Sequence, residues 1–122
     1  MKRGCVERNI PKVVLLILLA ASGCRHNPNI PESPIFTFDN DVSSITLNNC
    51  ATVGCHDGTS ERRRLQTYSD VMHYVSPGKP YSSKLFTTII KLSGNKMPPN
   101  GPLSDPQIRT IYVWILQGAK EK

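Results

Sequence analysis

The stretch NNCATVGCHDG, residues 48–58, brings Cys50, Cys55 and His56 within seven positions. Three kinds of chemistry use such a cluster: a zinc corner, a short disulfide beside a histidine, and covalent haem attachment, whose usual form is C-x-x-C-H. A structural zinc site closes with four ligands, commonly two short-spaced pairs. Here no second Cys or His pair follows, and His73 is the one further donor in the same region. A Cys50–Cys55 disulfide is feasible if the two Cα atoms come within about 7 Å. So short a loop removes little entropy from the unfolded chain, and the pairing leaves His56 without a part. Haem attachment uses all three side chains, because two thiols add to the porphyrin vinyl groups while a neighbouring imidazole reaches the iron. The spacing departs from the usual one by two residues. If haem is held here, Ala51–Gly54 must bulge, and Gly54 supplies a permissive backbone for it.

The N-terminus reads as an export signal. Lys2, Arg3, Arg8 and Lys12 precede the apolar run VVLLILLAA at 13–21. Nine residues are too few to span a bilayer, which takes about 20, and a basic head with a short apolar run fits a cleaved signal. The small residues ASGC, ending at Cys24, resemble the lipobox of bacterial lipoproteins. That likeness implies cleavage before Cys24 and acylation of its thiol. Residues 1–23 are then a signal peptide, 24–38 a lipidated tether rich in proline, and 39–122 the folded domain. Loss of the signal removes four basic residues and one acidic residue, so a net charge of +6 becomes +3. Much of the apparent basicity is therefore a targeting device, and nucleic acid is not an expected partner. Export also places Cys50 and Cys55 in an oxidising compartment, where two such thiols are oxidised or bound to something.

A domain of some 80 residues has a thin core and usually needs a staple or a large cofactor. Its pattern is all-α, with about four helices. In LSDPQIRTIYVWILQGAK, Ser104 and Gln107 form a capping box, and Pro106 lies in the first turn. Ile108, Ile111, Tyr112, Ile115 and Leu116 repeat on one face, and Gly118 ends the helix. A second helix is expected from an Asp41 N-cap towards Cys50, with Val42, Ile45 and Thr46 inward. A short one is capped by Thr67 with Asp70 in the box position. Another follows Ser82 or Ser83 and carries Leu85, Phe86, Ile89 and Ile90. Between the last two helices, SGNKMPPNGP at 93–102 can only be a loop.

That loop carries Met97, 41 residues after His56. Flanking prolines favour an extended loop from which a thioether can be directed at a flat cofactor. Taken together, C-x4-C-H-D at Cys50–Asp57, PGKPYSSKL and MPPNGPLSDPQIRTIYVWILQGA resemble small class I cytochromes c, and more closely the cytochrome c-like domains of bacterial envelope lipoproteins. The likeness spans nearly all of residues 41–119. It implies one haem c linked through Cys50 and Cys55, with His56 as proximal and Met97 as distal iron ligand. The implied protein is an electron carrier, not an enzyme. It is lipid-anchored at the membrane through Cys24, faces the periplasm or exterior, and serves redox partner proteins of the envelope. Met72 and His73 are the other candidates for the distal position. The alternative is a haem-free, disulfide-closed lipoprotein acting as a binding or structural module. Glu61–Arg64 (ERRR) reads as a solvated loop, or else as a docking patch or a clamp for the haem carboxylates. Tyr112 and Trp114 read as core. If haem is the shared surface for the helices, the haem-free chain is expected to be largely unfolded or molten.

Overall fold

The computed structural model describes residues 29–92 and 94–122. The expected signal peptide, Cys24 and His26 lie outside them. Among the described residues the protein is helical, with no strand: α1 (Ser43–Asn49), α2 (Tyr68–Met72), α3 (Lys84–Ile89) and α4 (Asp105–Leu116). A π-helical turn, Phe38–Val42, leads into α1, and a 3-10 turn, Pro80–Ser82, precedes α3. No helix among these residues is long and apolar enough to cross a membrane.

The first helical segment starts earlier than an Asp41 N-cap would place it. Thr37 is the cap, its hydroxyl accepting from the Asn40 N–H and side-chain amide. Asp41 reaches back instead, accepting from the Thr37 N–H at 2.8 Å. A carboxylate four residues into a helical segment can thus serve the residue before it, which a reading of caps by residue type alone misses. Val42, Ile45 and Thr46 are buried as their spacing requires. Thr67 and Asp70 form the reciprocal capping box of α2. At α4, Gln107 Oε1 accepts from both the Ser104 N–H and its hydroxyl at 3.0 Å.

Helix α4 is more deeply covered than one apolar stripe implies. Val113 and Trp114, off the expected face, are buried along with Ile111, Ile115 and Leu116. The reason lies beyond the helix end. Gly118, at φ +100°, allows a Schellman closure in which Gly118 N–H bonds Ile115 C=O at 3.0 Å and Ala119 N–H bonds Trp114 C=O at 2.8 Å. The chain then folds back over the helix. Lys120 C=O accepts from the Trp114 indole at 2.8 Å and from Phe38 N–H at 2.9 Å, and Glu121 C=O accepts from Asp39 N–H at 3.0 Å. The Tyr68 hydroxyl donates to Ala119 C=O at 2.9 Å, so the C-terminal tail ties the π-helical turn, α2 and α4 together. Trp114 packs on Phe38 with ring centroids 6.2 Å apart.

The end of the proline-rich segment joins this core. Phe38 is buried, and Gln117 accepts from Phe36 N–H at 2.9 Å while donating to Pro31 C=O and Pro34 C=O at 2.8 and 2.9 Å. Three bonds from one carboxamide thus fasten residues 31–36 to the end of α4.

Candidate functional site

Cys50 is the C-cap residue of α1, its N–H donating to Thr46 C=O at 2.8 Å. From there the chain makes an outward turn through Thr52, Val53 and Gly54, all exposed. Cys55 N–H returns to Thr52 C=O at 2.9 Å, and His56 N–H reaches Cys50 C=O at 3.1 Å. The two residues in excess of the usual spacing are therefore spent on a solvent-facing loop, while the second cysteine and the histidine are brought back beside the first. Gly54 adopts φ +76°, and a Cβ there would meet nothing within 4 Å. Conformation, not space, calls for glycine at this position.

His56 is held by the loop that follows. Its Nδ1 lies 2.6 Å from Arg63 C=O, and its own carbonyl accepts from Leu65 N–H at 2.9 Å. A carbonyl only accepts, so Nδ1 carries the hydrogen and Nε2 is left with a lone pair for a metal. Asp57 accepts from the Thr59 hydroxyl at 2.7 Å and the Thr59 N–H at 3.0 Å, which holds its carboxyl below the usual range. Gly58, at φ +91°, lies under the Arg64 side chain, whose Cδ would stand 2.6 Å from an added Cβ. Arg64 is exposed and its side chain can give way, so it is the positive φ that favours glycine here.

Cys50, Cys55, His56 and Met97 all line one cavity of about 830 Å³, together with Leu65, Tyr74, Leu85, Thr88, Ile89 and the proline-rich loop. That volume falls in the range of pockets that enclose a cofactor, roughly 300–1,000 Å³. Met97 enters from a separate part of the chain, its N–H directed to Thr88 C=O on α3 at 3.3 Å. The competing donors are elsewhere: His73 is exposed at the end of α2, and Met72 packs half-buried against the core. Neither lines the cavity. Trp114 does not line it either; its indole is already bonded to Lys120. Among the described residues no group of three or more His, Cys, Asp or Glu side chains converges as a metal site, so the zinc corner finds no partners. The donor set is one that suits haem: two thiols, one imidazole with a free Nε2 and one thioether.

Both cysteines are free thiols. Burial first, and then the neighbouring Cys55, pushes the Cys50 thiol up to about 11. The folded form thus keeps the Cys50 proton more tightly than the unfolded chain does. Its contribution to stability is complete below the ordinary thiol range and is lost as pH rises through about 11. Wherever Cys50 is left unlinked in the folded chain, its alkylation should rise about tenfold per pH unit up to that point. An exposed cysteine levels off near 8.5. Mass spectrometry of the alkylated peptides over a pH series measures this.

The cations at the cavity were less legible from residue order. Arg62, Lys84 and Lys91 line the cavity with Asn48, Asn49, Asn95 and Asn100, and no carboxylate does. The signal for two of them was present on α3 and just beyond it, where positions 84, 88 and 91 follow helical spacing next to Leu85 and Ile89. Phe86 packs instead on Tyr112, tilted at 5.3 Å, and edge-on against Tyr81 at 5.5 Å between ring centroids. Comparison of the chain with protein-family models, with curated proteins and with solved structures finds no match.

Proposed function

We propose that the protein is an electron carrier with one covalently bound haem c, anchored in the bacterial envelope by lipid on Cys24. Cys50 and Cys55 are the attachment thiols, His56 the proximal ligand and Met97 the distal one. The observation that carries this reading is the meeting of four residues from two distant segments at a single cavity, with Met72 and His73 left outside it. Cys50 and Cys55 would hold the group through thioethers, each formed by addition of an S–H across a vinyl double bond, which needs no oxidant. The bound group supplies a one-electron couple whose potential is set by its axial donors and burial. The chain contributes a fixed imidazole tautomer at His56, an apolar wall at Leu65, Leu85 and Ile89, and a cationic rim matched to the haem carboxylates.

Expression with a c-type maturation system should give coloured protein whose haem survives acid–acetone extraction. Colourless protein ends the reading in favour of the haem-free, disulfide-closed lipoprotein. Met97→Ala should keep its haem, turn high-spin and lower the potential by on the order of 0.1–0.2 V, within the ~0.8 V span that axial ligands command. An unchanged potential and spin state in that variant would move the distal role elsewhere.

A further inference from the structure

Resting on the haem reading, we propose that Arg62 is a positioning residue for the lengthened attachment turn, doing through a side chain what the usual two-residue spacing does through the backbone. Four residues between the thiols leave an outer arc that the Cys55 N–H bond to Thr52 C=O spans without holding its Val53–Gly54 tip. The structure holds that arc by the Gly54 peptide, from both sides. Gly54 N–H donates to Asp57 Oδ2 at 3.2 Å, and Gly54 C=O accepts from Arg62 Nη1 at 3.1 Å. The next carbonyl, of Cys55, accepts from the Ser60 hydroxyl, and that hydroxyl in turn accepts from Arg62 N–H at 3.3 Å. Arg62 therefore grips the turn by its guanidinium and, through Ser60, by its backbone. It also lines the cavity into which both thiols must face.

Linking the second thiol requires Cys50 and Cys55 to be in register at the same moment. A charge-assisted hydrogen bond on the connecting peptide is worth roughly a factor of ten in the population of the held turn. Arg62→Ala should therefore leave haem bound through one thioether in a much larger share of molecules, with one alkylatable cysteine in the haem peptide, about tenfold more often than in the wild type. Arg62→Lys, which keeps a cationic donor, should restore most of the double linkage. Arg63→Ala removes the same charge but keeps the backbone carbonyl that holds His56, and should be doubly linked like the wild type.

Linkage number is separate from haem content, which a role limited to pairing the haem carboxylates would change instead. Full double linkage in Arg62→Ala, or equal loss in Arg63→Ala, would overturn the proposal. A colourless wild type would sink the haem reading by itself. Amide exchange at Gly54 and Cys55 in that protein would then judge the clasp alone: faster exchange in Arg62→Ala supports it, and unchanged exchange refutes it.

Discussion

A Cys50→Ala, Cys55→Ala double variant, unable to hold haem covalently, is expected to lose its cooperative thermal transition and behave as a molten species. Helical circular dichroism should persist, with Trp114 still partly shielded. The division of the core explains why. Val42, Val71, Ile111, Trp114 and Ile115 are essentially inaccessible and none lines the cavity, so they form a layer that closes against the C-terminal tail. Leu65, Leu85 and Ile89 are the wall of the cavity itself. Each such side chain is worth about 1.5–3 kcal/mol when fully removed from water. Three of them together approach the whole stability of a small domain, roughly 5–15 kcal/mol. All three are already buried without haem, so what the group adds is contact across the cavity, and because it binds only the folded chain it stabilises that state. Dispersed amide signals and a sharp transition in the haem-free variant would show that the core closes unaided.

Much of this division could be read from residue order, and the rest depends on contacts that no local pattern records. The box of α2, Gln107 behind Ser104 and the glycine closure of α4 were legible because each involves residues within five positions of one another. The start at Thr37 was missed because Asp41 looks the same whether it caps its own helix or reaches back. Trp114 was legible as core, but the cover over it was hidden for a different reason. It follows from Lys120 and Glu121 returning to Phe38 and Asp39, a pairing of the two ends of the domain. The grip of Gln117 on Pro31, Pro34 and Phe36 is equally long-range, and a proline-rich composition argues for a free tether until it is seen. At the site, the cluster and the Met97 loop were legible as motifs. The bracing by Asp57, Ser60 and Arg62 was not, since charged and hydroxyl residues in a loop carry no pattern that separates a brace from a solvated surface.

His56→Ala is expected to abolish low-spin haem altogether, the largest spectroscopic change of any single substitution. Two consequences of the replacement must be weighed. The structural one is the loss of the Nδ1–H bond to Arg63 C=O, about 1 kcal/mol for a neutral hydrogen bond. The backbone bond from Leu65 N–H to His56 C=O remains, so the loop keeps its path. The other is the loss of the imidazole that lines the cavity, and among the described residues none replaces it, since His73 is exposed at the far end of α2. Ligand loss therefore dominates. The variant should retain thioether-linked haem in high-spin form, and added imidazole should return the low-spin spectrum by entering the space that the side chain vacates. Rescue by imidazole separates a missing ligand from a damaged fold, because a collapsed cavity could not admit it. A variant that stayed low-spin without added imidazole would show that another residue serves as the proximal ligand, and the assignment of His56 would fail.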